Sequence, residues 1–121
     1  MNDDETRAVA ERYARRGGAD RYSFARPDVL LGVQERQRAM LRLFAAAGID
    51  HFAPLRLLEV GCGSGGNLLE LLRLGFRPEH LVGVELLAER AAEARHTLPP
   101  ALAVHAGDAL ALELPAGAFD I

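Results

Sequence analysis

The chain has no lysine and no tryptophan, and it has one cysteine. All 14 basic residues are arginines. That removes three kinds of chemistry at once: a P-loop lysine, a Schiff-base lysine and a lysine general base. A single thiol, Cys62, excludes an internal disulfide and a multi-cysteine zinc or iron–sulfur site. The four histidines, His51, His80, His96 and His105, show neither an HxxxH nor an HExxH spacing, so no metal site is expected. No apolar run approaches the ~20 residues that span a bilayer, so no membrane association is expected. The acidic start, Met1-Asn2-Asp3-Asp4-Glu5, reads as neither a signal nor a transit peptide, and a cytoplasmic location follows as an expectation.

What is present is an ordinary soluble balance: 121 residues, 50% hydrophobic and 26% charged. A net charge of −3 gives no basic footprint for nucleic acid.

Residues 1–27 are charged and carry Tyr13, Gly17-Gly18 and Tyr22. They read as a partly helical, mobile N-terminal segment or lid. Pro27 suits the first turn of a helix over Asp28–Ala47, with Gly48 as its terminator. Residues 28–54 form that helix and a linker. Past Leu55 the pattern changes. Leu57–Val60 reads as a buried strand, Leu81–Glu85 and Leu102–His105 as a second and a third, and Ala118–Ile121 as the start of a fourth. Between them, Asn67–Leu74 and Leu87–Leu98 read as helices, closed by Gly75 and by Pro99-Pro100. Strand and helix in alternation specify an α/β fold with a parallel sheet and helices on both faces. Residues 55–121 form that domain.

Its most informative stretch is Glu59-Val60-Gly61-Cys62-Gly63-Ser64-Gly65-Gly66-Asn67, between a strand and a helix. Open α/β sheets bind ligands there. Glycine lets the backbone turn sharply and lets a ligand approach the main chain, while the following helix offers unpaired N–H groups. Two parses compete. Gly61, Gly63 and Gly66 fit G-x-G-x-x-G, the dinucleotide fingerprint. Gly61, Gly63 and Gly65 fit G-x-G-x-G, with Glu59 two residues ahead. Glu85 ends the second strand, where a carboxylate can accept from the two hydroxyls of a ribose. Asp108 follows the third strand, where a carboxylate can accept from an exocyclic amine, and Ala109 leaves room for a ring.

Taken together, LLEVGCGSGGN, VGVELL, AGDAL and AFDI resemble the class I S-adenosylmethionine-dependent methyltransferases, from Leu57 to Ile121. The resemblance implies a Rossmann-like sheet of which this chain holds the first half, strands 1 to 4 in the order 3-2-1-4, behind an N-terminal helical extension. It implies S-adenosylmethionine as cofactor and S-adenosylhomocysteine as product. Glu59, Gly61, Cys62 and Gly63 would surround the methionine part, and Gly65 would permit close strand–helix packing. Glu85 would hold the ribose, Leu86 would pack on the adenine, and Asp108 with Ala109 would flank its amine and ring. Cys62 reads as a small residue that fits, not as a catalytic thiol. Arg21 and Tyr22 are the candidates for a lid or acceptor side. No catalytic residue is assigned.

The expected reaction is methyl transfer from a sulfonium to a small-molecule acceptor. The alternatives are a nicotinamide- or flavin-dependent Rossmann oxidoreductase and a non-catalytic cofactor-binding module. Strand four, as an open apolar edge, is expected to favour instability or association into a homo-oligomer.

Overall fold

The computed structural model describes residues 3–15 and 19–121. Gly17-Gly18, within the segment read as mobile, lies outside the described residues. The chain divides into two compact units, one ending at Asp50 and one over His51–Ile121.

The first unit holds helix α1 (Asp3–Ala14), a 3-10 turn (Ala19–Tyr22) and helix α2 (Pro27–Ala46). Pro27 opens α2, where its missing N–H costs nothing. Arg26 and Asp28 pair across that start at 3.2 Å. Gly48, at φ +76°, closes the helix. Its N–H donates to Ala45 O, and that of Ile49 reaches back to Phe44 O. This is the Schellman arrangement, which satisfies the last carbonyls.

The second unit alternates strand and helix: β1 (Leu57–Val60), α3 (Gly66–Leu74), a 3-10 turn (Pro78–His80), β2 (Leu81–Glu85), α4 (Ala88–Thr97) and β3 (Ala103–Ala106). The strands are parallel in the order β1-β2-β3, with Leu57 opposite Leu81 and Val82 opposite Ala103. Helices flank the sheet, as the alternation requires. Along β2, Leu81, Gly83 and Glu85 point to one face and Val84 to the other, by the two-residue period of a strand. All four are buried, so both faces of the central strand are covered.

Local chemistry explains the element ends. Helix α3 buries Leu68 and Leu71. It stops at Gly75, φ +110°, in a second Schellman turn: Gly75 N–H to Leu72 O, Phe76 N–H to Leu71 O, with Phe76 buried. Helix α4 turns Ala91 and Ala94 inward. It ends one residue before the expected limit, because Leu98 precedes a proline and takes extended angles. Strand β3 begins one residue late, at Ala103, since the Leu102 N–H is bound to Pro99 O in a turn. Arg95 then ties α4 to β3, donating Nε and Nη2 to Val104 O at 3.0 and 2.7 Å.

The expected fourth strand is not formed as a strand. Residues 118–121 nevertheless run along the open edge of β1. Ile121 N–H donates to Arg56 O at 3.2 Å, and Leu58 N–H donates to Ile121 O at 3.0 Å. One residue bonded to two positions spaced two apart is a rung of a parallel ladder. The segment therefore takes the place beside β1 that the order 3-2-1-4 assigns to strand four, without enough rungs to count as one.

Candidate functional site

The site forms at the carboxyl ends of the strands, where β1 runs through the glycine loop into α3. One carbonyl sets the start of that loop: Val84 O accepts from Gly61 N–H at 2.7 Å and from Cys62 N–H at 3.0 Å. Gly61, Gly63 and Gly65 have φ of +76°, +57° and +91°, values that L side chains rarely adopt. Gly65 caps α3, and a Cβ on it would meet Leu98 Cδ1 at 2.8 Å. The close approach at Gly65 is thus to the residue after α4. Strand meets helix at Gly83, where a Cβ would lie 2.8 Å from Cys62 Sγ and 2.9 Å from Leu68 Cδ1. Gly66 has neither constraint: its φ is ordinary and a Cβ there meets nothing. The glycines this backbone requires are those of the G-x-G-x-G parse.

Glu85 is the hinge of the arrangement. It is 4% exposed, at the end of β2. Its Oε1 accepts from Gly63 N–H at 3.2 Å and its Oε2 from Leu87 N–H at 3.0 Å. One carboxylate therefore joins the glycine loop to the start of α4. A buried charge is stable only when partnered in this way. Each carboxylate oxygen has a second acceptor position, so hydroxyl donors can bind without releasing the loop. Leu86 follows, half-buried.

Glu59, on β1, is held by Asn67 Nδ2, which donates to its Oε2 at 2.9 Å. Asp108 leaves β3 in a tight turn, its Oδ1 accepting from Leu110 N–H at 2.9 Å and its carbonyl from Ala111 N–H at 3.0 Å. Ala109 is half-buried, while Leu110 is 93% exposed beside it. Cys62 is buried, and that burial, reinforced by the charges of Glu59 and Glu85, pushes its thiol up to about 11. A thiol so raised is protonated near neutrality and is a poor nucleophile. Among the described residues no cluster of metal-ligating side chains occurs.

The structure thus gathers Glu59, Gly61, Cys62, Gly63, Gly65, Glu85 and Leu86 around one loop, with Asp108 and Ala109 after the neighbouring strand. Arg21 and Tyr22 belong to the first unit, where the Arg21 guanidinium lies 5.8 Å from the Tyr22 ring centre. Sequence reasoning missed Arg90, whose guanidinium Nη2 comes 2.9 Å from where a Cβ on Gly63 would be. The sequence carries no signal for it: that Arg90, four residues before Ala94, borders the buried stripe of α4 emerges only from the fold. Asn67, which closes the glycine stretch in the sequence, gains a further role here as the donor that orients Glu59.

A family profile described as a methyltransferase domain matches residues 57–121, the whole strand–helix alternation. The chain belongs to the class I S-adenosylmethionine-dependent methyltransferase family. Among solved methyltransferases, an S-adenosylmethionine-dependent enzyme from Mesorhizobium loti is 26% identical with a TM-score of 0.54, covering 71% of this chain and 35% of its own. An S-adenosylmethionine-bound amino pentose methyltransferase from Micromonospora echinaspora, involved in calicheamicin biosynthesis, is 34% identical with a TM-score of 0.42, covering 88% of this chain and 37% of its own. A TehB-like methyltransferase from Corynebacterium glutamicum is 21% identical with a TM-score of 0.42, covering 69% of this chain and 49% of its own. The chain therefore spans between about a third and a half of these methyltransferases. A search of curated proteins gives no significant match. No helix among the described residues is long and apolar enough to cross a membrane.

Proposed function

We propose that the whole protein transfers a methyl group from S-adenosylmethionine to a small-molecule acceptor, and that the second unit holds the cofactor. The observation that carries this reading is the buried Glu85 carboxylate, tied to Gly63 and Leu87 yet retaining acceptor capacity at the mouth of a glycine turn. The residues suit the cofactor. Glu85 accepts from the ribose hydroxyls. Glu59, oriented by Asn67, offers its negative charge to the cofactor's amino group. The glycine loop admits the ligand close to the main chain. Asp108 and Ala109 receive the adenine edge and ring, with Leu86 on its face.

Bound there, the sulfonium supplies an activated methyl group for in-line displacement by the acceptor. The protein's contribution is chiefly orientation, which can supply up to ~7–11 kcal/mol. Cys62 takes no part beyond filling its space. The acidic balance supports a small acceptor over nucleic acid, and the single cysteine supports a cytoplasmic setting. On sequence grounds Arg21 and Tyr22 are assigned to the lid or acceptor side. Unchanged cofactor affinity and turnover in Arg21→Ala and Tyr22→Phe would end that assignment.

Calorimetry of the intact protein with S-adenosylhomocysteine tests the cofactor reading. Saturable binding is expected, weakened at least about tenfold by Glu85→Ala through loss of two charge-assisted hydrogen bonds. Undiminished binding in that variant, or binding of NAD in preference, would overturn it.

A further inference from the structure

Arg90 is the third residue of α4. The first turn of a helix carries partial positive charge, so carboxylates are favoured there and a cation is not. A residue that breaks a local rule marks a place where another demand acts. Here the side chain turns inward. Its Nε is buried. Its Nη2, Nε and Cζ lie 2.9, 3.5 and 3.6 Å from the position of a Cβ on Gly63. The guanidinium therefore lies against the α-carbon of the residue whose N–H is held by Glu85. Gly63 is fixed from two sides by α4 and the end of β2. The electrostatics agree: the carboxylates of Glu59 and Glu85 raise the Cys62 thiol and Arg90 opposes them.

Methyl transfer removes one positive charge from the cofactor, since a sulfonium becomes a neutral thioether. A partly buried cation beside the loop is weakly screened. It disfavours the sulfonium form relative to the thioether form. Resting on the cofactor reading above, we propose that Arg90 is a positioning residue that fixes Gly63 and whose charge weights the site toward S-adenosylhomocysteine over S-adenosylmethionine.

The test is calorimetry of the intact protein with both ligands. In Arg90→Gln the dissociation constant of S-adenosylhomocysteine is expected to rise about tenfold and that of S-adenosylmethionine about threefold, so the preference narrows. In Arg90→Lys, which keeps the charge but loses the plane, both should weaken while their ratio stays within about twofold of the wild type. Should Arg90→Gln fail to fold by circular dichroism, Arg90→Met carries the same comparison. Equal weakening of both ligands in the neutral variant, or no weakening, overturns the inference. A wild-type protein that binds neither ligand overturns the cofactor reading instead.

Discussion

Glu85 and Gly63 are joined by a 3.2 Å hydrogen bond from the Gly63 N–H to Glu85 Oε1, between the loop that follows β1 and the end of β2. The other carboxylate oxygen holds Leu87 N–H at the start of α4. The residue assigned to the ribose is thus also the residue that sets the loop.

That double duty makes Glu85→Gln informative. An amide offers one acceptor oxygen where the carboxylate has two, so either Gly63 or Leu87 loses its partner. The expected loss is about 1–3 kcal/mol of folding stability, read from urea unfolding. A midpoint equal to that of the wild type would show that the two hydrogen bonds carry little of the fold.

Glycines in the loop should respond unequally. Gly65→Ala forces a side chain into φ +91° and into Leu98. A destabilisation of about 1–3 kcal/mol is expected. Gly66→Ala places a methyl group in open space within the first turn of α3. It should be neutral or stabilise by about 0.5–1 kcal/mol. Thermal unfolding of the pair decides between the two parses of the motif, because a dinucleotide-type loop would reverse the order.

Cys62 should behave as a packing residue. Its thiol is raised from 9.0 to about 11 by burial and by the charges of Glu59 and Glu85. The unfolded chain loses this proton at lower pH than the folded one. The contribution to stability is complete below pH 9 and is lost as pH rises through about 11. Native protein should react slowly with a thiol reagent at pH 8, and denatured protein fast. Cys62→Ala should bind S-adenosylhomocysteine within about twofold of the wild type. Rapid native labelling, or abolished binding in Cys62→Ala, would contradict this.

The alternation of strands and helices was legible because each strand is a short, largely apolar run with a glycine or proline near at least one end, although only the central one is mostly buried. Gly48 and Gly75 end their helices as their positions suggest. Boundaries moved where a proline or a turn intervened, at Leu98 and Leu102. The start of a fourth strand at Ala118–Ile121 takes its expected place beside β1, but a strand also needs a run of rungs, and only Ile121 completes one. In the site, carboxylates and glycines announce themselves by residue type and spacing. Arg90 did not, because an arginine in an alanine-rich helix reads as solvent-facing until the loop opposite is placed. Nor could spacing show that Gly65 is closed against Leu98, since the two are 33 positions apart.

The Val84 carbonyl that receives Gly61 and Cys62 has a consequence for tolerance to change. Both the beginning of the loop and its carboxylate clamp are referenced to β2, within two consecutive residues, Val84 and Glu85. The distance between them is therefore indifferent to what the crossover does in between. Residues added to the exposed turn at Arg77, between α3 and β2, lengthen the path without moving either end. Such an insertion should leave ligand affinity intact, whereas a single residue added within Leu81–Glu85 would shift the register and dismantle the clamp.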